Sequence, residues 1–416
     1  MNRSFDPTRS AALVAFTLTT GVLTAQIPDR TDEFLHFPVA RLGGEIRGIA
    51  VAPSGTVYTA DGNPRLVAFD PATGARTTLL SGLPLSRPAM LRLGDGRQLT
   101  GNDLVLVDWN TEETTTCCDG RVFRIDPVTA SSSVLASGNP QYTDADPYGV
   151  AFGPGGAFGD YLYVTDFQGA TSHPPLIYRI DGSGVASPWF TASQWTTAST
   201  PRCLEFGTAA FGGDLFVTDL DSATIWRIDA TPSASAFVTG LDVVAIAAAT
   251  NTAWGSFLYV LAQGTTGTDL YRVDPVGNLE LVIDEIPGKP TYAALAFRPD
   301  GVVLWVGVGR QLYQVVPSSL QLAATPNPVM AGQTLQVATT GGVPGKPALL
   351  VGDELAGQAF SPPGILALGT MNTTGSWTLQ YPVTAALSGL GVRVQAVSLD
   401  GNDDYVASTK VDLVFQ

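Results

Sequence analysis

Four aspartates stand at the same place in four copies of one short strand. Asp61 follows Val57-Tyr58-Thr59-Ala60, and Asp108 follows Leu104-Val105-Leu106-Val107. Asp166 follows Leu162-Tyr163-Val164-Thr165, and Asp219 follows Leu215-Phe216-Val217-Thr218. Hard cations such as calcium take oxygen ligands of this type. Four such carboxylates around one face would therefore form a calcium or polar-ligand site. An Asp at a strand end also accepts from nearby backbone N–H groups and ties the turn that follows. The same four residues serve either reading.

The other chemistry-bearing residues are sparse. Trp109 opens the longest loop, 109–120, which holds Glu112, Glu113, Cys117 and Cys118; His173 sits in the loop 168–175. Long loops on a rigid scaffold often carry recognition. Glu45 and Glu205 lie near short strands of small residues and could build a site, or be buried and hydrogen-bonded. The candidate ligand-binding set is thus Asp61, Asp108, Asp166, Asp219, Trp109, His173 and Glu205. No catalytic set emerges. The histidines are His36 and His173, and a Ser-His-Asp triad would have to use the second. No Gly-x-Ser-x-Gly elbow supplies a serine. Cys117, Cys118 and Cys203 fit neither a disulfide framework nor a zinc site. A vicinal Cys117–Cys118 ring and a bridge from either to Cys203 both stay open.

These residues need a scaffold, and the repeat supplies one. Two further copies of the strand, Leu258-Tyr259-Val260-Leu261-Ala262 and Leu304-Trp305-Val306-Gly307-Val308, lack the acid. Each copy is followed by a second strand, as in Ile177-Tyr178-Arg179-Ile180-Asp181. Those strands end at 70, 126, 181, 229, 274 and 316, a recurrence every 42 to 56 residues. Strands of small residues precede each pair, as in Gly48-Ile49-Ala50-Val51, Gly149-Val150-Ala151-Phe152 and Ala294-Leu295-Ala296-Phe297, and suit a crowded inner position. Outer strands follow, as in Thr77-Thr78-Leu79-Leu80. The last unit lacks one, and the segment Glu33–Phe37 is predicted to complete it and close the ring. The expectation is an all-β chain: a six-bladed β-propeller over 26–317 with N-terminal strand closure.

The recurrent Leu-Tyr-Val-Thr-Asp strand and the Ile-Asp ending resemble the NHL-repeat and gluconolactonase-like six-bladed propellers, over roughly residues 32–317. The gluconolactonase resemblance implies a divalent metal held on inner strands by Glu, Asn and Asp. The stretch matching the first acid is Arg47-Gly48-Ile49-Ala50-Val51. The one matching the Asn is Tyr148-Gly149-Val150-Ala151, and the third falls near Asp242. Arg and Tyr thus stand in two ligand positions, and the ligand set does not carry over. Two readings follow: a non-catalytic recognition or scaffold protein, or a metal-dependent hydrolase or lactonase with altered ligands.

From Leu320 the repeat stops. About seven short strands between Gly-, Pro- and Asn-rich turns predict an Ig-like β-sandwich over 318–416, without cysteine. At the start, Arg3 and Arg9 precede the uncharged apolar run Ala11–Leu23, and Leu23-Thr24-Ala25 offers a cleavage site. This reads as a signal peptide over 1–25, hence a secreted, periplasmic or cell-envelope protein. No later stretch is long and apolar enough to span a membrane. Hydrophobic residues at 45% and charged residues at 14% exclude a charge-dominated disordered chain. The net charge of −15 disfavours nucleic acid and anionic lipid. A monomer is expected, with a protein, carbohydrate or small-molecule ligand and no cofactor beyond calcium.

Overall fold

In the computed structural model, residues 34–416 are described apart from 83–84, 86, 95, 97–99, 110–119, 137–145, 167–175, 192–193, 195–199, 250–253, 289–291, 318–320, 341–344, 357, 374–375, 400–404 and 409–410. The signal-peptide reading, His173, Cys117 and Cys118 lie outside the described residues. Among those described, no helix is long and apolar enough to cross a membrane.

Six four-stranded antiparallel sheets follow one another along the chain. Five are consecutive meanders spanning 46–81, 88–136, 147–190, 201–239 and 243–286, here blades 1 to 5. Blade 6 takes Ala293–Phe297, Leu304–Val308 and Gln311–Pro317, and its outer strand is Phe34–Arg41. The inner strand of each blade packs on that of the next, and Ala293–Phe297 packs on Ile46–Val51, so the ring closes. This is a β-propeller. At the closure Gln311 Nε2 donates to the Ala40 carbonyl at 2.9 Å, and the Leu42 N–H donates to Arg310 O at 2.8 Å.

The repeat writes itself into burial. The second strands Leu104–Asp108, Leu162–Asp166 and Leu215–Asp219 are buried at every position, whereas the outer strand Arg76–Ser81 is largely exposed. That is why the second strands read as continuous apolar runs, while the outer strands barely stand out. The third strands stop one residue earlier than expected, at Phe69, Ile125, Ile180 and Ile228. The following Asp leaves the ladder because its carboxylate turns the chain. Asp70 accepts from Ala72 N, Asp126 from Val128 N, Asp181 from Ser183 N and Asp229 from Thr231 N. The hydroxyls of Thr73, Thr129, Ser183 and Thr231 donate to the same carboxylates and, together with these backbone bonds, hold the four carboxyls below the usual carboxylate range.

Contacts divide the chain into two units: Val39–Val315, and residues 1–38 with Val316–Gln416. In the second unit a three-stranded sheet and a five-stranded sheet share one core. Leu335, Val337, Leu350, Val394, Ala396 and Phe415 belong to it. Near the end of the chain Tyr405–Ala407 and Val411–Val414 are separate strands. Between them Ser408 is fully buried, and its Oγ accepts the Ala396 N–H at 2.9 Å.

Candidate functional site

The four aspartates occupy equivalent places, and each is turned to internal use. Each is buried, and each faces the first residue of its own blade's inner strand: Ile46, Pro88, Pro147 and Pro201. Asp108 accepts from Arg87 N, Asp166 from Asp146 N, and Asp219 from Thr200 N, all on the segment entering that strand. Asp219 also accepts from Asp221 N and Trp226 Nε1, and Asp61 from Asn63 N and the Arg65 guanidinium. A carboxylate with its lone pairs committed to N–H donors has few left for a cation. Among the described residues no group of three or more His, Cys, Asp or Glu could hold a metal ion. The structure thus ties these aspartates into the blades. In blade 5, where Ala262 replaces the acid, Asp269 on the neighbouring strand accepts from Glu285 N at 2.9 Å.

Trp109 is half-buried against the core, with the Arg87 guanidinium 4.7 Å above its ring. Cys203 is a buried free thiol on the inner strand Pro201–Phe206, and its Sγ donates to the Val244 carbonyl. The bridge from Cys203 to Cys117 or Cys118 is therefore not present. Burial pushes the Cys203 thiol up to about 11.

The inner strands carry a feature that sequence reading missed. In blades 1 to 5 the inner strand breaks register immediately after the residue opposite the acid position. Such β-bulges re-aim side chains and kink a strand. The bulged segments hold Arg47, Ala89-Met90, Tyr148-Gly149, Arg202-Cys203 and Val244, a ring at one level of the channel. Blade 6 pairs regularly. Glycine at the bulge is required by crowding, since a Cβ on Gly149 would lie 2.0 Å from Arg202 O. Thr165 Oγ1 bridges the same two strands, donating to Arg202 O and accepting Gly149 N–H.

Below the bulges the channel pinches. Gly48, Leu91, Ile246 and Leu295 help form a waist that encloses only about 10 Å³. It then opens, on the face of the hairpins joining first and second strands, into a funnel of about 670 Å³. Ile49, Val51, Leu93, Ala248 and Phe297 give the funnel apolar walls, and Tyr58 and Asn102 add polar tips. One ion pair lies within it: Arg92 Nη2 of blade 2 meets Glu205 Oε2 of blade 4 at 2.5 Å. Arg92 also donates to the carbonyls of Val150 and Leu204. Burial raises the Glu205 carboxyl above its ordinary value, and Arg92 opposes the rise. Of the candidate residues that are described, Glu205 alone lines this funnel, and it does so on the face opposite the aspartate ends.

The chain matches no protein-family model and no curated protein. Solved structures do match it. A gluconolactonase from Xanthomonas campestris is 14% identical over 70% of this chain and 97% of its own, with a TM-score of 0.52. They share the propeller fold. A virginiamycin B lyase from Staphylococcus aureus is 15% identical over 68% of this chain and 99% of its own, with a TM-score of 0.44. An auxiliary nutrient binding protein from Bacteroides thetaiotaomicron is 12% identical over 67% and 70%, at 0.49. At these identities only the fold transfers.

The metal implied by the gluconolactonase resemblance can be tested against the residues present. Arg47 and Tyr148 both line the axial waist. Tyr148 lies within electrostatic range of Arg47, Arg202, Tyr292 and Cys203, and burial raises its phenol far above the ordinary value. Two guanidinium groups repel a divalent cation, and the protonated Tyr148 phenol offers it no anionic ligand. Asp242 lines a different cavity, beside Gln263 and Asp269. The residues do not fit the metal.

Proposed function

We propose that the chain is an exported, non-catalytic recognition propeller that takes a small-molecule ligand into its axial channel. One observation carries the reading. The inner-strand positions at which the resemblance implies acid and amide ligands hold Arg47 and Tyr148, packed in one group with Arg202 and Tyr292. A lactonase of that type would lose its metal. The funnel of about 670 Å³ falls within the range of small-molecule sites, and its apolar walls with one ion pair suit a ligand that is mostly apolar with one polar end. Export rests on Arg3, Arg9 and the run Ala11–Leu23. The second unit serves as spacer or attachment.

The test is metal analysis of purified protein together with a hydrolysis screen of lactones and esters. The expected result is no turnover that a chelator abolishes. Tightly bound metal with chelator-sensitive turnover would overturn the proposal in favour of the metal-dependent hydrolase.

A further inference from the structure

The ring of bulges points to a second kind of ligand. We infer that its charged side, Arg47 with Arg202, Tyr148 and Tyr292, binds the carboxylate of a small organic acid at the end of the channel above the waist. The inference adds a ligand class and a place to the recognition reading and rests on it.

Three observations converge. First, the register breaks in five successive inner strands at one level, and the bulged segments of blades 1, 3 and 4 carry Arg47, Tyr148 and Arg202. A repeated local distortion that aims unlike side chains at one axis is the kind of departure that functional sites show. Second, the guanidinium groups lie on aromatic faces. Arg47 sits 4.2 Å from the Tyr292 ring centroid, and Arg202 sits 5.4 Å from that of Tyr148. Stacking holds a guanidinium plane while leaving its in-plane N–H groups to donate. Third, Arg47 Nε is buried and has no hydrogen-bond partner among the described residues. A buried donor left without a partner is unfavourable, so a group is called for there.

Arg92, lower in the same channel, is the internal comparison. It too lies on an inner strand, yet Glu205 and two carbonyls take up its donors. Among the described residues no carboxylate pairs with Arg47. A carboxylate matches the guanidinium fork through two parallel N–H···O bonds. The Tyr148 phenol stays protonated because burial raises it, so no second negative charge competes. In a chain of net charge −15, two arginines within electrostatic range of the same Tyr148 make a local positive patch that can attract a small anion.

The test is calorimetric titration of the full chain with benzoate, acetate and inorganic phosphate, at low salt, for wild type, Arg47→Gln, Arg47→Lys and Arg202→Gln. Benzoate or acetate should bind wild type with one site per chain and more tightly than phosphate. Arg47→Gln should lose about tenfold or more in affinity, the worth of one charge-assisted contact. Arg47→Lys should fall between, because charge remains and the fork is gone. Arg202→Gln supplies a second reading should one variant fail to fold, with circular dichroism as the check. No carboxylate binding, equal binding by Arg47→Gln, or phosphate outcompeting both acids overturns the inference. Chelator-sensitive turnover would instead sink the recognition reading, while the titrations still report on the anion site.

Discussion

Replacing Arg92 with Met removes one half of the ion pair in the channel and leaves Glu205 facing the funnel alone. The two side chains are only 16% and 22% exposed. Removing one partner of a buried pair costs about 3–5 kcal/mol, because the charge left behind stays desolvated. The residual exposure places this pair at the low end, about 3 kcal/mol, or a fall of about 6 °C in Tm for a unit of this size. The pH dependence separates this mechanism from mere loss of packing. The Glu205 carboxyl is raised by burial, and Arg92 is the group that opposes the rise. Without Arg92 the folded-state pKa climbs further. A carboxyl raised in the folded state stabilises fully below its unfolded pKa, and that contribution is lost as pH rises through the folded value. The deficit of Arg92→Met relative to wild type should therefore be widest near neutrality and shrink as the solution is acidified toward about pH 4. Differential scanning fluorimetry of both proteins across that window measures it, and Arg92→Met/Glu205→Gln should recover most of the loss at neutral pH. An equal deficit at both ends of the window would refute the desolvated-carboxylate argument.

Gly149→Ala drives a methyl group onto Arg202 O and should cost about 1–3 kcal/mol as overpacking. A lowered urea midpoint with unchanged slope checks it, and an unchanged midpoint would mean that the two strands part freely. Asp219→Ala strands the N–H groups of Thr200, Asp221 and Trp226 and should destabilise by about 2–3 kcal/mol or more, whereas Asp219→Asn retains an acceptor and should lose less. Calcium should leave the melting temperature of wild type unchanged, and a calcium-dependent rise that Asp219→Asn removes would restore the cation reading. Cys203, buried and with its thiol up at about 11, should resist iodoacetamide in the native protein near pH 8 and react in denaturant. Peptide mass spectrometry locates the label, and fast native labelling would show that the inner strands open.

The blades were legible because their second strands are buried on both faces. That burial forces an apolar run with little tolerance for polar residues, as in Leu162–Asp166. The four aspartates were legible for the same reason: each ends such a run, Asp108, Asp166 and Asp219 capping the segment that enters the inner strand and Asp61 tying the turn to Asn63 and Arg65. Their positions could be read from spacing, but their use could not. A carboxylate that accepts Arg87 N and one that ligates calcium look alike in a single sequence. Trp109 and the cysteines illustrate a second limit. Spacing gives no account of which way a side chain points, so Cys203 read as a bridge candidate although its strand sends it to Val244 O inside the channel.

The bulges were illegible for a sharper reason. Alternation in a strand encodes faces at a period of two. One extra residue flips that assignment for everything before it without leaving any compositional trace. Arg47 and Tyr148 therefore entered the sequence reading only as replacements at implied ligand positions, and Arg202 did not enter it. The available signal was their mismatch with their neighbours: a guanidinium or phenol next to Gly48, Gly149 or Cys203, on strands otherwise built of Ala, Val and Ile. Placing charge in a crowded inner strand is unfavourable unless something pairs with it. Arg92 shows the paired solution, with Glu205 supplied from across the channel. Arg47 lies on an inner strand with its Nε buried and without a hydrogen-bond partner among the described residues, and the carboxylate ligand proposed above would supply there the charge that Glu205 supplies to Arg92.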